Sequence, residues 1–88
     1  MVKTLAEEME TPNQREKREK LSYVKTQINE MEAIIRRNEV DIYINENTEW
    51  TDDEQVEVDA KTREYTKLNT RLSKAIVALK KLQSELDK

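Results

Sequence analysis

From Leu21 onward, apolar residues recur along the chain at alternating steps of three and four. Leu21, Val24, Ile28, Met31, Ile35, Asn38 and Ile42 keep that spacing unbroken, with Asn38 as the one polar member. Such a repeat is the seam of an amphipathic helix that pairs with another helix. Upstream, Thr11 can cap the helix, Pro12 fits its first turn and Gln14 completes a capping box. The first helix is therefore predicted over 12–46. Its opening turns, residues 15–20, are charged at every position.

Asn45, Asn47 and Thr48 are turn-forming and end the pattern. An acidic loop is predicted over 47–51. Thr51-Asp52-Asp53-Glu54 forms a second capping box, with acids in the first turn to suit the helix dipole. The second helix is predicted over 52–87. Val58, Lys61, Tyr65, Leu68, Leu72, Ala75, Leu79, Leu82 and Leu86 repeat the three–four spacing, again with one polar member.

Two such helices joined by a short loop fold back antiparallel. The expectation is an all-α, coiled-coil-like hairpin, a single domain with a short N-terminal arm or helix over 1–11. Thr4 with Glu7 and Leu5 with Met9 give that arm its helical character. The simplest register sets Leu21 against Leu79, Ile28 against Leu72, Ile35 against Tyr65 and Ile42 against Val58. Val24 then meets Ala75, Met31 meets Leu68, and the two polar members, Asn38 and Lys61, share a layer. A rival pattern is local. Val40, Ile42 and Ile44 alternate with polar positions, as do Val56 and Val58, which suits a β-hairpin over 39–58.

The hairpin leaves apolar residues uncovered. In that register Leu82 and Leu86 run past the apolar part of the first helix and face Lys17 and Gln14. Leu5 and Met9, or another chain, are candidates to cover them. Ile34, Val40, Tyr43, Ile44, Trp50, Val56, Ile76 and Val77 lie off the seam. A lone two-helix hairpin buries too little surface for a chain of this size. Self-association into a helical bundle is expected, through Leu82, Leu86, Ile76, Ile34, Val40 and Ile44.

Composition removes several function classes. The 88 residues include no Gly, no Cys and no His. Phosphate-cradling glycine loops are absent, as are thiol nucleophiles, zinc–thiolate sites and the commonest general base. Neighbouring carboxylates such as Asp52 and Asp53 do not face each other on a helix, so acid–base catalysis has no support. An enzyme would need a site between subunits built from Lys61, Asn38 or Tyr65. No enzyme activity and no cofactor are expected. Nothing resembles a membrane span, and the first residues carry acids where a signal peptide carries basic ones. The expected setting is the cytoplasm, or the host cytoplasm were the chain viral.

Charge adds a polarity. The chain is 40% charged with a net charge of −3, but the balance is local. Residues 39–59 carry nine negative and no positive charges, while 13–38 and 60–88 are both net positive. The hairpin is an acidic head on a basic stalk. A head of this kind steers a basic partner. Trp50 is the candidate anchor, with Tyr43, Glu46, Glu49, Asp52, Asp53 and Glu57 around it. The acids of the head, Glu54 included, also invite a calcium reading, but the glycine and spacing of an EF-hand loop are missing. On the stalk, Lys67, Arg71, Lys74, Lys81 and Lys88 recur at helical spacing. They offer a nucleic-acid alternative, or a solvated flank paired with Glu16, Glu19, Glu30 and Glu32.

The expected function is a non-catalytic protein–protein interaction module that self-associates and docks a partner protein through the head. The architecture is similar to that of assembly subunits, small regulators, chaperone-like proteins and virus-encoded inhibitors, a likeness of shape and not of site.

Overall fold

A computed structural model describes residues 11–87. The expected N-terminal arm, with Leu5 and Met9, and Lys88 lie outside the described residues. The chain forms two α-helices, α1 (Pro12–Asn47) and α2 (Asp52–Leu86), packed antiparallel in an extended hairpin. Among the described residues there is no strand, so the alternation over 39–58 does not form a β-hairpin. Ile42 and Ile44 instead continue α1.

Both helices start where the sequence signals them. The Thr11 hydroxyl accepts from the Gln14 backbone N–H, and the Gln14 side chain accepts from the Thr11 backbone N–H. Thr51 and Glu54 repeat the arrangement at α2. Each box satisfies two backbone donors that a helix start would otherwise leave unpaired. The Glu54 carboxyl is held below its ordinary pKa, chiefly by its hydrogen bonds from Thr51.

The register differs from the expected one. Two side-chain hydrogen bonds fix it: Asn38 to Asn69 at 2.9 Å and Asn45 to Thr62 at 3.3 Å. Carrying this register along both helices sets Leu21 against Leu86, Ile28 against Leu79, Met31 against Ile76 and Ile35 against Leu72. Relative to the simple pairing, α2 has slid by one heptad. The α1 seam is as predicted, but α2 presents Gln55, Val58, Thr62, Tyr65, Asn69, Leu72, Ile76, Leu79, Gln83 and Leu86, all buried or half-buried. Lys61, Leu68 and Leu82, predicted in the seam, are exposed beside it.

Two causes account for the slide. The buried Asn38 amide requires a hydrogen-bonding partner, and Asn69 meets that need where an apolar residue would not. Asn69 in turn donates to the Ile35 carbonyl at 3.4 Å. The loop supplies the length. Thr48 and Thr51 are both extended. In this register Asn47 is level with Ala60, so residues 52–59 project past the end of α1. Eight helical residues rise about 12 Å, and the loop carries the chain over that rise and across to α2.

The core is thin. Val24, Ile28 and Ile76 are buried, with Met31, Ile35, Leu79 and Leu86 packed against them. Ile76, expected to serve self-association, is thus buried within the hairpin, and Leu86 is partly covered by it. Asn38 is the one buried polar residue among those described, and no buried side-chain polar atom lacks a partner.

Candidate interaction surfaces

The head is built from the end of α1, the loop and the projecting start of α2. Trp50 is half-buried, and its indole N–H donates to the Asn45 carbonyl at 2.9 Å. That bond draws the loop back onto the last turn of α1. Thr48 and Asn47 donate side-chain hydrogen bonds to the Ile44 and Tyr43 carbonyls, closing the helix end. Trp50 thus has a loop-fastening task beside any outward one. Tyr43, Glu46, Glu49, Asp52, Asp53 and Glu57 are all exposed around it. Among the described residues no group of three or more acidic side chains converges on a metal-sized site.

The two long edges of the hairpin differ. On one edge Lys80 pairs with Glu32 at 3.6 Å. The same edge carries a shallow, mainly apolar groove of about 450 Å³, lined by Ile35, Ile42 and Val77 with Glu39, Thr66, Asn69 and Lys74 among others. The opposite edge carries a leucine row. Leu68, Ala75 and Leu82 recur there every seven residues on α2, one position before Asn69, Ile76 and Gln83 of the seam. Ile34 occupies the corresponding place on α1, with Tyr23 and Ile44 in the neighbouring column about three turns to either side. Leu68 and Leu82 remain 41% and 43% exposed, while Ile34 and Ala75 are half-buried.

This edge accounts for the difference of one position between the predicted and observed α2 seams. The apolar stripe of α2 is three positions wide, and its two richest columns are Val58–Tyr65–Leu72–Leu79–Leu86 and Leu68–Ala75–Leu82. The column facing α1 beside the first of these holds Thr62, Asn69 and Gln83, with Ile76 as its one apolar member. Helices of a bundle carry such a third apolar column toward a further neighbour. Matching Asn38 to another amide, and not to the nearest polar residue by count, would have found the register.

The remaining candidates lie elsewhere. Val40 falls on the outer face of α1, away from the apolar edge, and is 56% exposed. Lys67, Lys74 and Lys81 form a seven-residue row along the outer face of α2, with Arg71 beside it, all exposed. Lys61 is exposed on the apolar edge and does not meet Asn38. No helix among the described residues is long and apolar enough to cross a membrane. The chain matches no protein-family model, no curated protein and no solved structure.

Proposed function

We propose that this protein is a non-catalytic interaction module that self-associates through its apolar edge and presents its acidic head to a basic partner protein. The observation that carries the reading is the mismatch between core and surface. Three apolar residues are buried among those described, whereas eight large ones are at least 41% exposed, four of them (Tyr23, Ile44, Leu68 and Leu82) on this edge. Burying each such side chain fully stabilises by roughly 1.5–3 kcal/mol, so association is the natural sink for the edge. The head supports the second half. Its nine carboxylates within residues 39–59 steer a basic surface and reject an acidic one.

Sedimentation equilibrium tests the first half: a dimer or larger species at micromolar concentration is expected, and a fully helical monomer overturns it. For the head, Asp52→Asn with Asp53→Asn and Glu57→Gln is expected to weaken capture of a basic protein from the source cell. Unchanged capture of the same protein would move the docking site elsewhere.

A second reading rests on the lysine row of Lys67, Lys74 and Lys81. Three cations on one face at helical spacing suit a phosphate backbone. It requires affinity for nucleic acid that falls steeply with salt, and no mobility shift at low salt removes it.

A further inference from the structure

The leucine row has a place inside the hairpin as well as on its edge. We propose that the hairpin holds a second seating, in which α2 slides back along α1 by one heptad and turns by one column, so that Leu68 and Ala75 close against α1. What this does to assembly rests on the self-association reading above; the second seating itself does not.

The two seatings share one column of α2. Val58, Tyr65, Leu72, Leu79 and Leu86 face α1 in both. In the present seating this column is joined by Thr62, Asn69, Ile76 and Gln83, all buried or half-buried. Its neighbour on the other side is Lys61, Leu68, Ala75 and Leu82. Exchanging one neighbour for the other turns α2 by about 50°, a seventh of a turn. The slide is about 10 Å.

The α1 seam fits either seating. At present Val24 faces Gln83, while Asn38 and Asn45 meet Asn69 and Thr62. In the second seating Leu21 meets Leu79, Val24 meets Ala75, Ile28 meets Leu72, Met31 meets Leu68, Ile35 meets Tyr65 and Ile42 meets Val58. Each of those layers is apolar. Asn38 keeps a hydrogen-bonding partner, because the Lys61 ammonium can donate to its side-chain oxygen. Against these gains, Asn38 gives up Asn69, Ile76 turns out of the core, and Leu82 and Leu86 run on to face Lys17 and Gln14. Each seating holds an advantage that the other lacks. The loop accommodates both. At present it climbs past residues 52–59; in the second seating Asn47 is level with Asp52 and Asp53, and residues 48–51 have only to cross between the helices.

The exchange alters what the surface offers. Leu68 and Leu82 are now 41% and 43% exposed. In the second seating Leu68 and Ala75 lie in the seam, and the acids of residues 52–59 stand beside the end of α1. A second copy on the leucine row binds only the present seating, so association draws the population toward it. The chain alone has an autoinhibitory contact that hides the row.

The chain has no cysteine, so pairs can be introduced that report each seating. Ile35→Cys with Leu72→Cys lies across the seam at present, and Ile35→Cys with Tyr65→Cys in the second seating. Each pair is about 10 Å apart in the other seating, beyond the roughly 7 Å that a disulfide tolerates between Cα atoms. Ile35→Cys with Val58→Cys is brought together by neither and sets the background. Met31→Cys with Leu68→Cys reports the second seating again, and its turn, through a residue now exposed. In a glutathione redox buffer, a second seating populated at about 1–10% closes the Tyr65 pair at about a hundredth to a tenth of the rate of the Leu72 pair. If neither the Tyr65 pair nor the Leu68 pair closes faster than background, the second seating is overturned.

Sedimentation then reads the coupling, with the leucine row intact. The oxidised Tyr65 pair is expected to self-associate at least about tenfold more weakly than the oxidised Leu72 pair, and reduction is expected to restore it. Equal association of the two oxidised forms overturns the closing of the row. A Leu72 pair that stays monomeric in both redox states overturns self-association, and the crosslinking rates still decide the second seating.

Discussion

Asn38 on α1 donates its side-chain amide to the side-chain oxygen of Asn69 on α2, and this one contact decides which residues of α2 face inward. The donor is buried and the acceptor half-buried. Replacing either residue alone by Leu strands the other amide. Asn38→Leu is expected to cost about 1–3 kcal/mol in urea unfolding. Asn38→Leu with Asn69→Leu restores stability but loosens the choice of register, as buried polar pairs in coiled coils do for pairing. A double-mutant cycle with no coupling energy would mean the bond contributes nothing.

Trp50 fastens the loop to the end of α1. Trp50→Phe keeps a ring but removes the indole donor to Asn45. The expected loss is about 0.5–1.5 kcal/mol, with faster amide hydrogen exchange confined to the loop and the last turn of α1. Exchange that accelerates evenly along both helices would show that the loop bond has no local role.

The Thr51–Glu54 box makes a pH prediction. The folded Glu54 pKa lies below its ordinary value, so folding favours the ionised form. The stability it lends is present above the unfolded pKa and is lost as pH falls through the lowered folded value. Followed by NMR, Glu54 should protonate below the ordinary range of a glutamate, with the Thr51 amide signal moving in step. A Glu54 titrating at the ordinary glutamate value would contradict the box. Thr51→Ala is expected to fray the first turn of α2 at a cost of about 0.5–2 kcal/mol.

Leu82 and Val40 separate the apolar edge from the outer faces. Leu82→Glu is expected to weaken self-association at least tenfold, while Val40→Glu leaves it within about twofold, since surface changes away from contacts count little. Equal effects in sedimentation would mean that the edge is not the contact.

How far the sequence revealed this structure depends on the kind of information asked of it. The two capping boxes are local, and Thr11 and Thr51 announced their helices without ambiguity. The α1 seam was legible because its apolar residues occupy two columns. The α2 seam was not, because Leu68, Ala75 and Leu82 make a third column that competes with Thr62, Asn69 and Gln83. Hydrophobic pattern prefers the former, while the amide of Asn38 and the length of the loop select the latter. Ile76 looked off-seam for the same reason and proves to be core. For the surfaces, sequence marked the charged head and the leucine surplus. Which edge the leucines share follows only from the heptad slide.

That slide gives the loop a further meaning. Residues 48–51 act as a ruler: their extended length sets how far α2 is carried past α1 before it turns down. The helices themselves can exchange seams only in whole heptads, because a step of three or four would turn Asn38 onto Leu72 or Tyr65. A loop shortened by one or two residues would therefore strain or fray the end of a helix and leave the pairing in place. A loop shortened until it cannot span the overhang would drop α2 a full heptad and withdraw the projecting acidic end. The size of the head is thus written in the number of residues between Asn47 and Asp52.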